Sequence, residues 1–355
     1  MNVIDYLENY KDLSFKESPF NELDAAILAL LSYFPFDLIG VNKKVIKNEK
    51  ILSFIETYEP GANVSEHKLL HIRLMSDVIN SNRFKGIKFT FFERKRSDMS
   101  IEQFQAITIE LKKFTYVSFC GTDATTLGWR EDFNMAYLDI VPSEVDAIKY
   151  INKVRKRHPF KPIYIGGHSK GGRLAVRAGK EIYKNNTVVS IFSFDGPNFT
   201  EEFYDEKYDD MKHLVYEYAP NESVIGRLIT DRQNKIIVES SATFFNQHSL
   251  YTWLIEDNHF VHEDKYTDRS NKIALIVNEI FTKYDNETKS VFVNTLFDLF
   301  DRLNITELKD TEYNKQLILG SLGSLRIEWR SIPKENRRVI THIIFAILLL
   351  LIKRR

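Results

Sequence analysis

The sequence has a single cysteine, Cys120, among its 355 residues. No disulfide can close within the chain, and no thiolate cluster can bind a metal in it. Neither charge is in excess, since 49 Lys and Arg residues balance 49 Asp and Glu. That balance supplies no global field, so a partnership with DNA or RNA is not expected. Internal repeats, low-complexity tracts and a Pro-, Gly- or Ser-rich linker that would divide the chain are also missing. The opening residues, MNVIDYLENYKDLSFKE, are acidic and amphipathic, without the apolar core and small-residue cleavage site of a secretory signal. A reducing, cytoplasmic location is the expectation.

What is present suits a large folded core. The chain carries 26 Phe and 17 Tyr, which are ordinary core material and could also line an apolar channel. Residues 1–80 read mainly as helices packed on the core, with compact apolar stretches at 23–31 and 66–79. Residues 81–260 read as the core domain. A first pair of strands is expected at 87–92 and 104–111, a hairpin around the charged segment 93–100. Further strands at 116–120, 163–166, 188–194, 213–218 and 236–239 alternate with helices, one of them at 143–156. Short apolar runs separated by helices are what a mostly parallel sheet with helices on both faces requires. Residues 261–355 read as a helical region ending in the apolar segment 339–352, VITHIIFAILLLLI, with basic residues at both ends. As a helix that segment spans about 21 Å, short of the roughly 30 Å hydrocarbon layer. It fits a buried terminal helix or, through 339–355, peripheral association with the inner membrane surface.

The most informative stretch is Gly167-His168-Ser169-Lys170-Gly171. A β-rich run precedes it and a helix-compatible run follows, the context of a nucleophile elbow. Glycines two residues to either side of Ser169 leave the backbone room for so sharp a turn. The serine then stands at a helix N-terminus, where amide groups favour negative charge.

Together with Phe119-Cys120-Gly121-Thr122-Asp123, Gly128-Trp129-Arg130-Glu131-Asp132-Phe133, Phe194-Asp195-Gly196-Pro197 and Gln247-His248, this stretch resembles a largely uncharacterised bacterial family of lipase-like α/β-hydrolases. That family is related to the class-three (fungal-type) triacylglycerol lipases, and the likeness spans roughly residues 85–260. It implies an α/β-hydrolase fold and ester hydrolysis without a metal or organic cofactor. It also implies an oxyanion hole formed by the amides of Thr122 and Lys170. Cys120 stands where the class-three lipases carry an arginine, and it reads as a small buried residue.

Chain order in this fold is serine, acid, histidine. His248 follows the last strand and is the expected base, with His259 as the alternative. His259 and His262 also form an i, i+3 pair, but no third metal ligand is evident. For the acid, Asp195 directly follows a strand, and Glu222 lies beyond the next one. Alignment with the class-three lipases puts Ser223 in the place of their aspartate. These residues point to a serine hydrolase acting on a lipid or other apolar acyl ester. The competing reading is an inert hydrolase-fold protein that binds a lipid, a membrane surface or a protein partner.

Overall fold

The computed structural model describes residues 1–39, 45–61, 64–232, 234–302, 304–307, 330, 333–338 and 340–341. Among them, eight strands form one sheet in simple sequence order: β1 (Val45–Ile46), β2 (Lys88–Ser97), β3 (Glu102–Glu110), β4 (Thr115–Phe119), β5 (Ile163–His168), β6 (Val188–Phe194), β7 (Val215–Pro220) and β8 (Ile236–Val238). The first four strands pair antiparallel, and β4 through β8 run parallel. This is an α/β-hydrolase sheet with an antiparallel flank. The charged segment after residue 92 does not loop out, because Glu93 to Ser97 continue β2 opposite Gln103 to Ala106 and Glu102.

Side chains alternate across the sheet with period two. On β4 and β6, Tyr116, Phe192 and Phe194 join one apolar layer, while Val117, Phe119 and Ile191 join the other. The first layer is covered by the N-terminal helices α1 (Val3–Tyr10), α2 (Glu22–Leu30), α3 (Asn48–Thr57) and α4 (Glu66–Asn80). Every residue of α2 after Glu22 is buried, so its polar Asp24 needs a partner. Arg83 supplies one with two hydrogen bonds of 2.6 Å. Removing either group would strand a buried charge, at a cost of about 3–5 kcal/mol.

The opposite layer is covered by α6 (Pro142–Arg157) and α7 (Lys170–Ile182); α5 (Thr126–Asn134) lies between β4 and α6 in the chain. Pro142 begins α6, where its missing N–H costs nothing. Short α8 (Glu206–Met211) buries Tyr208 and Met211 in this layer. Beyond Trp253 the chain first makes a small hairpin, β9 (Ile255–Glu256) with β10 (His259–Phe260), where helix alone was expected. Then come α9 (Asp268–Lys283) and α10 (Asn286–Arg302). Among the described residues no helix is long and apolar enough to cross a membrane. The apolar segment 339–352 lies outside the described residues except for Ile340 and Thr341, and Ile340 is buried beside Phe292, Val293 and Phe297 of α10.

Candidate active site

Four consecutive parallel strands end in register, Phe119 beside Gly167, His168 beside Phe194, and Phe194 beside Tyr218. The loops that leave these ends carry Thr122, Ser169, Asp195 and Glu222, and His248 follows β8, as expected for the carboxyl edge of an open α/β sheet.

Ser169 directly follows β5 and caps α7 with φ 58° and ψ −133°, a left-handed conformation that a non-glycine residue rarely adopts. The turn is held by the Ser169 amide donating to Phe194 O at 2.9 Å and by Gly172 N–H donating to Ser169 O at 2.9 Å. Its glycines are sterically required. A β-carbon on Gly167 would lie 2.3 Å from the Gly171 backbone, and one on Gly171 would lie 2.1 Å from Phe119 O.

His248 ends a short 3-10 turn, Phe244–His248, that is anchored from several sides. Trp253, fully buried, donates its indole N–H to Gln247 O at 2.8 Å. Gln247 in turn accepts the amide of Glu222 at 3.0 Å. The His248 Nδ1 lies 2.6 Å from Asp195 Oδ2. Asp195 is 1% exposed and sits at φ 49°. Its other oxygen accepts from Ser223 Oγ at 2.5 Å and from Gly226 N–H at 3.1 Å. Burial alone would raise the Asp195 pKa. The His248 hydrogen bond and field, Ser223 and the Lys235 ammonium outweigh burial and hold it below the ordinary carboxylate value.

Of the two carboxylates considered, Asp195 meets His248. Glu222 instead accepts the Phe244 amide at 2.6 Å. His259 pairs with Glu22 on α2 at 2.8 Å and does not line the cavity described below. Among the described residues no group of three or more His, Cys, Asp or Glu side chains is placed to hold a metal ion.

Thr122 and Lys170 line the same cavity as Ser169. Thr122 Oγ1 donates to Asp132 Oδ2 at 2.6 Å. Lys170 begins α7, whose first amides have no partner inside the helix. Its side chain turns inward, and the ammonium donates to Gln103 O, Gln103 Oε1 and Glu131 Oε2 at 2.8, 2.6 and 3.0 Å. Burial lowers the Lys170 pKa, but the fields of Glu131 and Asp132 outweigh it, and the pKa is raised. Glu131 also accepts the amides of Gln103 and Ser143, joining α5 to β3 and α6. Glu131 and Asp132 thus anchor the Lys170 ammonium and the Thr122 hydroxyl. Cys120 is buried and its thiol is pushed up to about 12, chiefly by burial, so it is no thiolate at neutral pH.

Ser169, His248, Thr122 and Lys170 all line one cavity of about 370 Å³. Its walls are Trp129 and Phe133 of α5, Val224, Ile225, Leu228 and Ile229, Phe244 and Phe245, and residues of α9 and α10 including Ile273, Val277, Phe292 and Val293. The acidic-aromatic stretch 201–210 contributes nothing to these walls, and Phe203 and Tyr208 within it are buried elsewhere. The contribution of α9 and α10 escaped the sequence reading, because an amphipathic helix does not state what it covers. Arg130 ties α5 to α10, donating to Asn294 at 2.9 Å and pairing with Asp298 at 3.3 Å.

The Mbeg1-like family profile matches residues 78–298. No curated protein matches the chain. Among solved structures the chain is similar to a mono- and diacylglycerol lipase from Aspergillus oryzae, with 12% identity over 74% of this chain and 87% of that one and a TM-score of 0.44. It is also similar to the lipase from Rhizopus microsporus var. chinensis, with 13% identity over 76% and 82% of the two chains and a TM-score of 0.39. The Rhizomucor miehei lipase propeptide complex gives 12% identity, 67% and 68% coverage and a TM-score of 0.39.

Proposed function

The chain belongs to the Mbeg1-like family, and from there, with the geometry of the cavity, we propose that it is a serine hydrolase that cleaves a carboxylic ester of a lipid or other apolar acyl substrate. The observation that carries this reading is the 2.6 Å bond between His248 and Asp195 at a cavity whose wall includes both His248 and Ser169.

Asp195 accepts the Nδ1–H of His248, which leaves Nε2 as the basic nitrogen. His248 takes the hydroxyl proton of Ser169 while the serine oxygen attacks the ester carbonyl. The tetrahedral oxyanion is met by the amides of Thr122 and Lys170, each worth about 3 kcal/mol to such a transition state. His248 returns the proton to the departing alcohol, and an acyl-enzyme remains on Ser169. Water activated by the same imidazole then releases the acid. Charge on Asp195 stabilises the imidazolium in both halves, and its depressed pKa keeps it ionised.

The walls argue for an apolar acyl group. Each methylene moved from water onto such a lining contributes about 0.8 kcal/mol, and about 370 Å³ lies within the range of small-molecule sites. The test is a fluorophosphonate probe with peptide mapping, alongside p-nitrophenyl ester turnover. Labelling at Ser169 and loss of both signals in Ser169→Ala are expected. Full turnover by Ser169→Ala would end the proposal.

A further inference from the structure

Tyr33 and His168 have no part in the steps above, yet they contact all three segments that do. Tyr33 ends a 3-10 turn, Leu31–Tyr33, directly after α2, and His168 is the last residue of β5. The Tyr33 hydroxyl lies 2.9 Å from His168 Nδ1 and 3.2 Å from His168 O, and it packs against Gly121. His168 Nε2 lies 2.6 Å from the carbonyl oxygen of His248. A carbonyl only accepts, so Nε2 carries the ring proton, and Nδ1 accepts from the Tyr33 O–H. The pair thus touches the main chain at Gly121 and at the His248 carbonyl. Gly121 precedes Thr122, His168 precedes Ser169, and the carbonyl belongs to His248 itself.

The pair is itself held. The His71 ring of α4 stacks on Tyr33 with centroids 4.9 Å apart and 8° between planes. The hydroxyl of Tyr251, three residues beyond His248, lies 2.8 Å from His71 Nδ1. A β-carbon on Gly121 would sit 2.1 Å from the Tyr33 oxygen, so the oxyanion loop is seated directly against the phenol. Burial first, then the field of His248, push the His168 pKa down to about 3, which keeps the ring neutral.

We propose that Tyr33 and His168 are positioning residues, a two-ring bridge that fixes oxyanion loop, nucleophile and base relative to one another. The inference rests on the hydrolase reading of Ser169 and His248. It gives the N-terminal helical region a part in turnover that no residue of the elbow motif reveals. Holding the His248 main chain limits the drift of its imidazole, and a shift of about 1 Å in such a group can lower the rate about a hundredfold.

The experiment compares His168→Phe, His168→Gln and Tyr33→Phe with wild type by ester turnover, fluorophosphonate labelling rate and thermal melting. His168→Phe keeps a ring but no donor, and its kcat should fall about a hundredfold with KM within about twofold. The labelling rate should fall in parallel. His168→Gln restores an N–H toward the same carbonyl and should recover most of the loss, whereas Tyr33→Phe should lose about tenfold. Should His168→Phe fail to fold, Tyr33→Phe, which lacks only an oxygen, carries the test. Labelled wild type with His168→Phe or, failing that, Tyr33→Phe equally reactive per folded molecule overturns the bridge alone, as does Gln performing no better than Phe. Wild type that is neither labelled at Ser169 nor active overturns the hydrolase reading instead.

Discussion

The loops that close β6 and β7 each bring a carboxylate toward the segment bearing His248, and the two side chains do different things there. Asp195 follows β6 directly, turns inward at positive φ, and meets the imidazole with one oxygen while Ser223 and Gly226 occupy the other. Glu222, two residues beyond β7, accepts the Phe244 amide, and its own amide donates to Gln247. One loop thus touches the imidazole itself, and the other braces the main chain that carries it. Ser223, the next residue, donates to Asp195. The two loops share one task, one reaching the imidazole and the other the main chain behind it.

The comparison breaks most directly at Asp195. Asp195→Asn should lower kcat on the order of 10⁴-fold, because the amide favours the wrong imidazole tautomer. Ester turnover of the folded variant, together with probe labelling, checks it. Wild-type rates in Asp195→Asn with a dead Glu222→Gln would exchange the two roles.

Acid should loosen the same region. The His168 pKa in the folded protein is about 3, below the roughly 6.5 of an unfolded histidine. Between those values the unfolded chain binds more protons, so stability is complete above about pH 6.5 and is lost as pH falls toward the folded value. His168 alone should cost about 2 kcal/mol between about pH 7 and pH 5. Urea midpoints should drop accordingly in wild type and drop less in His168→Gln. The depressed pKa of Asp195 acts in the same sense at lower pH, where its proton uptake removes stability.

Ser223→Ala takes one donor from a buried carboxylate. About tenfold in kcat should go with it, since a hydrogen bond to a charged group is worth about 1.5–3 kcal/mol. The acidic limb of the rate profile should move to higher pH as the Asp195 pKa rises. The smallest effect belongs to Glu222→Gln, which keeps an acceptor for Phe244 and should hold turnover within about threefold while lowering stability by about 1 kcal/mol. Activity assays and melts on one preparation separate the two quantities.

Much of this frame was legible in the chain. The parallel strands from β4 to β8 follow the expected order, although β7 spans Val215–Pro220 and not 213–218, and the hairpin of β2 and β3 is longer than its apolar part. Charged residues on Glu93 to Ser97 disguised a strand, because an edge of the sheet beyond the core tolerates them. Nothing near Tyr33 or His71 announced a contact with the elbow, since neither lies in a recurring motif.

The sequence by itself determined the elbow at Ser169 and the layering of the sheet. Both depend on neighbours in the chain, through glycine sterics on either side of one serine and a period of two along each strand. Only the tertiary structure decided that Asp195 rather than Glu222 meets His248, that α9 and α10 wall the cavity, and that Tyr33 reaches the elbow. Asp195 and His248 stand 53 residues apart, and Tyr33 and His168 stand 135 apart. Hydrogen bonds over such separations depend on how loops pack after the strands align, which no local pattern encodes.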